Sequence, residues 1–311
     1  MKCGIPAVGD FFLYLFNERK VLPVTIRGYK TAIIQMWGDA GDNSLRDDKV
    51  IADLLRSFDM DKPVSDNLMP TWNLALVLDV LRKKPFEPLS TIPLSHLTVK
   101  TLFLLALSSG VRRSEMHALV HDGAGVFGNG CYYLQFDARF IAKTAKAGSE
   151  RFRPLVIPAL PCKEDRALCP VRALTEYVER VKPLQKDNLS KKLFVSYKPG
   201  YVKDIAPQTI SRWIKDAILW SYEAAVDNPD LHQLHKVKAH DVRAMSASLA
   251  YLRSVAMEDI LTAGSWTSHT TFTDHYLKDL SIQSKDLLRL GPLVASRQVV
   301  QANSAASTSH A

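Results

Sequence analysis

The sequence has no apolar run long enough to cross a membrane. Its longest run, residues 101–107, falls far short of the roughly 20 residues that a membrane-spanning helix needs. The first ten residues begin with a positive charge but lack a long apolar core ahead of a cleavage site, so they do not signal secretion. We therefore expect an intracellular protein that does not associate with a membrane.

Cysteine is scarce, with four in 311 residues, too few and too scattered for a disulfide framework. Cys162 and Cys169 could be combined with His232 and His235 as a zinc set, but the gap between the two cysteines fits no common zinc-finger spacing. A compact carboxylate cluster, which a metal nuclease would need, is also lacking. We expect no metal and no other cofactor.

Acidic residues are outnumbered, since 40 Lys and Arg face 32 Asp and Glu, giving a net charge of +8. This balance favours a polyanionic partner such as nucleic acid over an acidic small molecule, although a merely basic enzyme is also compatible with it. With 47% hydrophobic and 23% charged residues, the composition is that of a globular protein. The length predicts one large or two modest domains.

Helical periodicity dominates the sequence. In residues 25–37, Ile26, Tyr29, Ile33 and Trp37 are spaced to lie on one helix face. Residues 98–107 are apolar on every side, as in a helix enclosed by a core. Further helices are predicted over residues 10–16, 47–58, 71–83, 171–181, 208–225, 240–252, 257–263 and 271–278.

A small sheet interrupts the helices. Residues 132–136, 140–142 and 151–157 have β-type composition, and a polar turn at 147–149 separates the last two. The predicted fold class is therefore mainly α with a small antiparallel β-sheet.

Three prolines within residues 85–93 mark a domain boundary, because each removes a backbone donor and disfavours helix before it. We predict a helical domain over residues 1–85, a linker over 86–94, and a larger domain over 95–294. Residues 295–311 are polar and rich in small residues, which predicts a disordered tail.

The segment Ser109-Gly-Val-Arg-Arg-Ser-Glu115 carries the first candidate site residues. Arg112 and Arg113 lie in the turn after the buried helix, with Glu115 close behind. A guanidinium matches phosphate oxygens bidentately, so an arginine held by an acidic neighbour could grip a phosphate. The alternative is that both arginines only solvate a helix end.

A second group lies near the other end of the chain. His240 and Arg243 are three residues apart, hence neighbours on one helix face. Trp266 and Tyr276 follow them, and either aromatic residue could be ordinary core. Between the two groups lies a predicted hairpin whose loop carries Lys143 and Lys146, one of which could protonate a leaving oxygen if it is not simply solvated.

Taken in order, these residues resemble the motifs of the tyrosine recombinase (phage integrase) family, and the resemblance covers nearly the whole chain. It implies a two-domain, integrase-like DNA breaking and rejoining architecture, with the N-terminal helices as a core-binding domain. The implied catalytic residues are Arg112 as first arginine, Glu115 as its acidic support, His240 and Arg243 as the second box, Trp266 at the His or Trp position, and Tyr276 as nucleophile.

The sequence is similar in finer detail to recombinases of DIRS and Ngaro-type retrotransposons and of cryptons. Residues 72–81, 85–89, 97–107 and 140–144 carry this similarity, which implies a mobile-element origin and a nuclear location. Bacterial members commonly place the tyrosine nine residues after the His or Trp position, whereas Tyr276 comes ten after Trp266. No other tyrosine follows Trp266, so Tyr276 is assigned.

The family mechanism implies cleavage through a 3′-phosphotyrosyl intermediate without a cofactor or a small-molecule substrate. The catalytic lysine stays open: Lys143 fits a Phe-x-x-Lys-Thr pattern, and Lys146 fits an alignment back from Glu150. The expected partner is double-stranded DNA, bound by a homotetramer. Gln208, Ser211, Arg212 and Lys215 are expected to read bases, and the expected DNA contacts also include Arg139, Arg151, Arg153, Lys198 and Lys203.

Two alternatives to a recombinase remain at this stage. One is a catalytically silent DNA-binding protein derived from such an element. The other is a topoisomerase that uses the same chemistry on single duplexes. The retained set of site residues argues against the first, and the resemblance of the N-terminal helices to tetrameric recombinases argues against the second.

Overall fold

The computed structural model describes residues 4–63, 72–128, 130–141, 154–160, 163–185, 191–196, 203–225, 237–264, 266 and 268–278. Contacts divide the chain into two units, residues 1–66 and 67–311. Among the helices so described, none is both long and apolar enough to span a bilayer.

The first unit is a helical cluster around a small apolar core. Phe12 and Ile26 are fully buried in it, and the ring of Phe16 stacks on that of Phe58 with centroids 4.2 Å apart. Asp48 is the N-cap of the third helix, and its carboxylate accepts a hydrogen bond from the backbone N–H of Ile51 at 2.9 Å. The helices are α1 (Ile5–Asn17), α2 (Pro23–Asp39) and α3 (Lys49–Asp61).

The second unit is built around one enclosed helix, α5 (Leu94–Ser109), which is buried on every side from Leu97 to its end. It packs against α7 (Pro170–Val181), α8 (Pro207–Ala224) and α9 (Ala239–Leu252). This confirms the prediction of a central helix over residues 98–107. The other helices of this unit are α4 (Leu74–Leu81), α6 (Arg113–Ala118), α10 (Met257–Gly264) and α11 (His269–His275), with 3-10 turns at Lys163–Leu168 and Lys182–Gln185.

The division between the units lies earlier in the chain than the boundary predicted at residue 85. α4 packs against α8, and Trp72, Val77 and Leu81 are buried in the core of the second unit. The proline-rich segment also contributes Phe86 to that core, so residues 86–94 are not a free linker. The physical reason is that α4 is apolar on most of its surface and needs a large core to cover it.

A lysine buried in α5 helps to fix this segment. The Lys100 ammonium is fully buried and donates to the Leu81 carbonyl at 2.7 Å and to the Glu87 carboxylate at 2.6 Å. Arg172 also binds this carboxylate, donating one hydrogen bond to each Glu87 oxygen at 2.8 and 2.9 Å. Burial lowers the pKa of Lys100 to about 8, although the Glu87 carboxylate opposes this shift.

The predicted small antiparallel sheet is present, which confirms the fold class. Its three strands run in the order β1 (Leu119–Val126), β2 (Tyr132–Phe136) and β3 (Leu155–Ile157). The strand predicted over 140–142 is wrong at its described residues, because the chain turns there, with the N–H of Phe140 bonded to the Asp137 carbonyl at 2.9 Å. Residues 151–153 and the tail at 295–311 lie outside the described residues.

Candidate active site

A cavity of about 480 Å³ opens in the second unit where the start of α6 meets α8, α9 and the end of α11. Four of the sequence-predicted catalytic residues lie in its wall although they are far apart in sequence. The residues that matter most for its chemistry are Arg112, Arg113, Ser211, His240, Arg243 and Tyr276.

The turn between α5 and α6 sets one side of this cavity. Gly110 ends α5 with a φ of 61°, a left-handed conformation that glycine adopts at little cost. α9 is fixed beside this turn, because the Ser246 hydroxyl donates to the Leu107 carbonyl at 2.6 Å. The turn thereby directs the Gly110 carbonyl towards α9, and α6 starts three residues after Gly110, at Arg113.

Arg112 is the N-cap of α6 and is held by Glu115. The Glu115 carboxylate accepts the Arg112 backbone N–H at 2.6 Å and one guanidinium nitrogen at 2.9 Å. Glu115 is itself buried, so this ion pair is largely shielded from water. This geometry fixes the Arg112 side chain at the cavity wall.

Arg243 projects from α9 and is buried beneath the cavity. Its two terminal nitrogens donate to backbone carbonyls, one to Gly110 at 2.7 Å and the other to Gly264. Its Nε is buried and has no hydrogen-bond partner among the described residues. The guanidinium carbon lies 4.5 Å from the centre of the Trp266 ring.

The charge of Arg243 is not neutralised by a contacting carboxylate among the described residues. Desolvation, followed by repulsion from Arg112, lowers the pKa of Arg243 to about 10, and the nearby Tyr276 and Glu115 partly oppose this. Arg243 therefore stays cationic at neutral pH. Of the two guanidiniums of Arg112 and Arg243 at this cavity, only that of Arg112 contacts a carboxylate among the described residues. The remaining positive charge makes the site suited to an anion.

Tyr276 follows the last turn of α11 and packs among the other site residues. Its ring centre is 4.9 Å from that of His240 and 4.5 Å from that of Trp266. The centre of its ring also lies 5.4 Å from the guanidinium carbon of Arg243. The phenol is therefore next to both a base and a cation.

His240 lies in the first turn of α9, on the helix face that carries Arg243. Desolvation and then the positive charge of Arg243 lower the pKa of this imidazole, with smaller effects of the same sign from Arg112 and Lys238. Asp241 opposes the shift. His240 is therefore mostly neutral at pH 7 and can accept a proton.

Trp266 is brought to the site but does not line the cavity. Its buried indole packs against Tyr276 and Arg243, and its N–H has no partner within the described part of the chain. In the described arrangement the ring supports the two groups beside it.

The structure places the expected DNA-contacting residues only in part. Gln208 and Arg212 are exposed on α8, and Lys215 is half-buried there. Ser211, expected to read bases, instead lies in the cavity wall. Arg139 is exposed in the turn after β2, and its Nε lies 3.4 Å from the Asp137 carboxylate.

Several expected residues lie outside the described residues and stay predictions. They are the two candidate lysines and three of the expected DNA contacts: Lys143, Lys146, Arg151, Arg153 and Lys198.

Some residues of the site were not assigned from the sequence. Arg113 was a candidate for phosphate binding but was given no catalytic role, and Ser114 was not a candidate; both line the cavity beside Arg112, and their place in the same turn was the signal that could have included them. The Gly264 carbonyl, which accepts a hydrogen bond from Arg243, could not be predicted from the sequence. A backbone acceptor is present at every residue and does not depend on the spacing of side chains.

Comparison with known proteins gives a structural likeness only. No protein-family model and no curated protein sequence matches the chain. Among solved structures, the chain is similar to the crystal structure of XerA recombinase, with 18% sequence identity and a TM-score of 0.40 over 91% of this chain and 86% of that one. A TM-score below 0.5 is too low to support an inference about function, so that inference depends on the residues of the cavity.

Proposed function

We propose that this protein cleaves and rejoins DNA through a covalent bond between Tyr276 and a DNA 3′-phosphate. The observation that carries the proposal is the placement of Arg112, His240, Arg243 and Tyr276 around one cavity. A phenol, a neutral imidazole and two guanidiniums supply a nucleophile, a base and counter-charge for a phosphodiester.

The reaction follows from what each group can do. The Tyr276 oxygen attacks phosphorus while the bond from phosphorus to the 5′ oxygen breaks, and His240 accepts the phenolic proton. Arg112 and Arg243 bind the non-bridging oxygens, whose negative charge grows in the transition state. Lys143 or Lys146 protonates the departing 5′ oxygen. The phosphotyrosyl bond then conserves the linkage for attack by another 5′ hydroxyl, so neither ATP nor a metal is required.

DNA would be held by the basic surface next to the cavity. α8 contributes Ser211 to the wall while Gln208 and Arg212 remain exposed on the same helix. A duplex with a phosphate in the cavity could therefore meet these exposed side chains, which supports α8 as the groove-reading helix.

The finer proposal is a site-specific recombinase or integrase of a mobile element that acts in the nucleus as a homotetramer on double-stranded DNA. It is supported by the motif similarity to DIRS, Ngaro and crypton recombinases. The net charge of +8 is compatible with a DNA substrate.

The test uses nicked duplexes carrying candidate element ends. We expect an SDS-resistant protein–DNA adduct that is lost in Tyr276→Phe and kept in Tyr251→Phe, which removes an exposed hydroxyl on α9 away from the cavity. Duplex binding without any adduct would support the catalytically silent DNA-binding protein instead. Plasmid relaxation without joining of two sites would support a topoisomerase.

A further inference from the structure

Ser248 connects α9 to the chain segment that carries Tyr276. Its side chain is fully buried. Its oxygen accepts the backbone N–H of Lys278 at 2.7 Å, and its hydroxyl is within donating distance of two carbonyls, those of Ala244 at 2.8 Å and Tyr276 at 3.2 Å. One hydroxyl thus contacts the backbone on both sides of Leu277.

The helix that carries this hydroxyl also carries the charged site residues. His240, Arg243 and Ser248 all lie on α9, whereas Tyr276 follows α11. α11 is short, and the backbone N–H groups of Tyr276 and Leu277 both bond to the Phe272 carbonyl, at 2.8 and 2.9 Å. Those bonds fix Tyr276 to its own helix but not to α9.

Contacts between the Tyr276 ring and α9 are less directional. The ring packs on His240 and lies 5.4 Å from the Arg243 guanidinium carbon. Such contacts allow a ring to slide by fractions of an ångström, whereas a hydrogen bond to a buried hydroxyl restricts both distance and direction. Among the described residues, the Ser248 contacts therefore form a polar link that sets the register of the Tyr276 backbone against α9.

We propose that Ser248 is the positioning residue for the Tyr276 nucleophile. It holds the tyrosine backbone against the helix that supplies the base and a phosphate-binding arginine, so the phenol meets the phosphate in line. Ser248 touches no substrate. This proposal rests on the proposed function, since positioning matters only if Tyr276 attacks.

The test compares Ser248→Ala with a matched control, Ser221→Ala. Ser221 is also fully buried and donates to the carbonyl four residues earlier, Ala217, at 2.7 Å, but it lies in α8 away from the cavity wall. Both variants lose one buried hydroxyl. Thermal unfolding of both variants measures how much stability each has lost and shows whether the two losses are similar.

Two measurements separate positioning from stability. In hydrogen–deuterium exchange, the amide of Lys278 should exchange about fivefold faster or more in Ser248→Ala and unchanged in Ser221→Ala. In single-turnover assays, Ser248→Ala should form the covalent adduct about 10- to 100-fold more slowly while its affinity for the duplex stays within about twofold. Ser221→Ala should keep the wild-type rate.

A second variant guards against misfolding. Ser248→Cys leaves no cavity, since sulfur is slightly larger than oxygen, but offers a weaker donor and acceptor, so its rate should lie between those of wild type and Ser248→Ala. Wild-type adduct rates in both Ser248 variants would overturn the positioning role and leave the proposed function standing. Absence of any adduct with the wild-type protein would overturn the proposed function, and the positioning role with it.

Discussion

Arg243 performs two tasks through one side chain. Its bonds to the carbonyls of Gly110 and Gly264 connect the α5–α6 turn with the end of α10. Its positive charge, without a contacting carboxylate among the described residues, is left to attract a phosphate. A guanidinium presents its N–H donors in a rigid planar fork, so it can hold two carbonyls in fixed directions and still offer donors to a phosphate.

Arg243→Lys should therefore lower the rate of adduct formation by about 10²- to 10³-fold, the loss typical of removing one donor to transition-state charge. The measurement is a single-turnover cleavage assay. Arg180→Lys is the control, because Arg180 also bridges two carbonyls, those of Leu89 and Ile92 at 3.0 and 2.9 Å, but lies away from the cavity. Equal loss in both variants would mean that Arg243 is only structural.

His240 predicts how the reaction depends on pH. Since desolvation by the surrounding protein and the positive charge of Arg243 lower the pKa of this imidazole below its ordinary value, the base form prevails at neutral pH. The rate should fall as pH drops through that lowered pKa, because protonated His240 cannot accept the phenolic proton. Adduct formation measured across mildly acidic to neutral pH should show this acid limb, and His240→Gln should be slow and lack it. An acid limb that persists in His240→Gln would assign it to another group.

Individual residues of the site were predictable where side-chain chemistry leaves a pattern. The Arg112-x-x-Glu115 and His240-x-x-Arg243 spacings place each pair on one helix turn, and the structure has both pairs together. Ser248 left no such pattern, because a serine inside an apolar helix usually bonds only to its own backbone. Its link to Tyr276 depends on how α11 packs on α9.

At the scale of elements, the end of α10 is the tightest part of the site. Gly264 gives its carbonyl to Arg243, and a Cβ built at this glycine would overlap the Trp266 ring. The indole in turn packs against Tyr276. Any side chain at 264 therefore displaces the ring that packs against Tyr276.

Gly264→Ala should destabilise the protein by about 1–3 kcal/mol, as overpacking does, and reduce adduct formation. The matched control is Gly28→Ala in α2, where an added Cβ meets nothing within 4 Å. That change should stabilise by roughly 0.5–1 kcal/mol through helix propensity. Urea unfolding of both variants checks the signs, and a neutral Gly264→Ala would contradict the packing described for Trp266.

Helices with a strong apolar periodicity were predictable from the sequence. A strand that forms through hydrogen bonds to a neighbouring strand was missed. The bounds of α2, α8 and α9 lie within about two residues of the predicted ranges, although Tyr29 of the predicted apolar face of α2 is exposed. β1 was missed, because His-Asp-Gly-Ala-Gly at 121–125 is typical of a loop. It becomes a strand by pairing with β2, with an irregular register between Val120 and Gly125.

At the scale of the whole molecule, the proline-rich segment misled the domain prediction. Prolines mark irregular backbone, but irregular backbone can lie inside a domain as well as between domains. Here Phe86, Leu89 and Ile92 are buried in the core of the second unit. Sequence alone could not show that α4 joins the same core, because its apolar pattern fits either side of the boundary.

The division of the chain predicts how fragments behave. A fragment of residues 72–311 should unfold cooperatively, because it keeps the whole core cluster of the second unit. A fragment of 86–311 loses Trp72 and α4, whose buried side chains are worth about 1.5–3 kcal/mol each, and should be unfolded or aggregate. Circular dichroism melts distinguish the two. Identical melts would restore the boundary at residue 85.

The most direct test of the account is to identify the amino acid that becomes linked to DNA. Trapped adduct is digested with nuclease and trypsin, and the peptide of residues 254–278, which contains Tyr276 as its one tyrosine, is sequenced by mass spectrometry. We predict a nucleotide joined through its 3′-phosphate to Tyr276. A nucleotide on any other residue, or joined through a 5′-phosphate, would contradict the account.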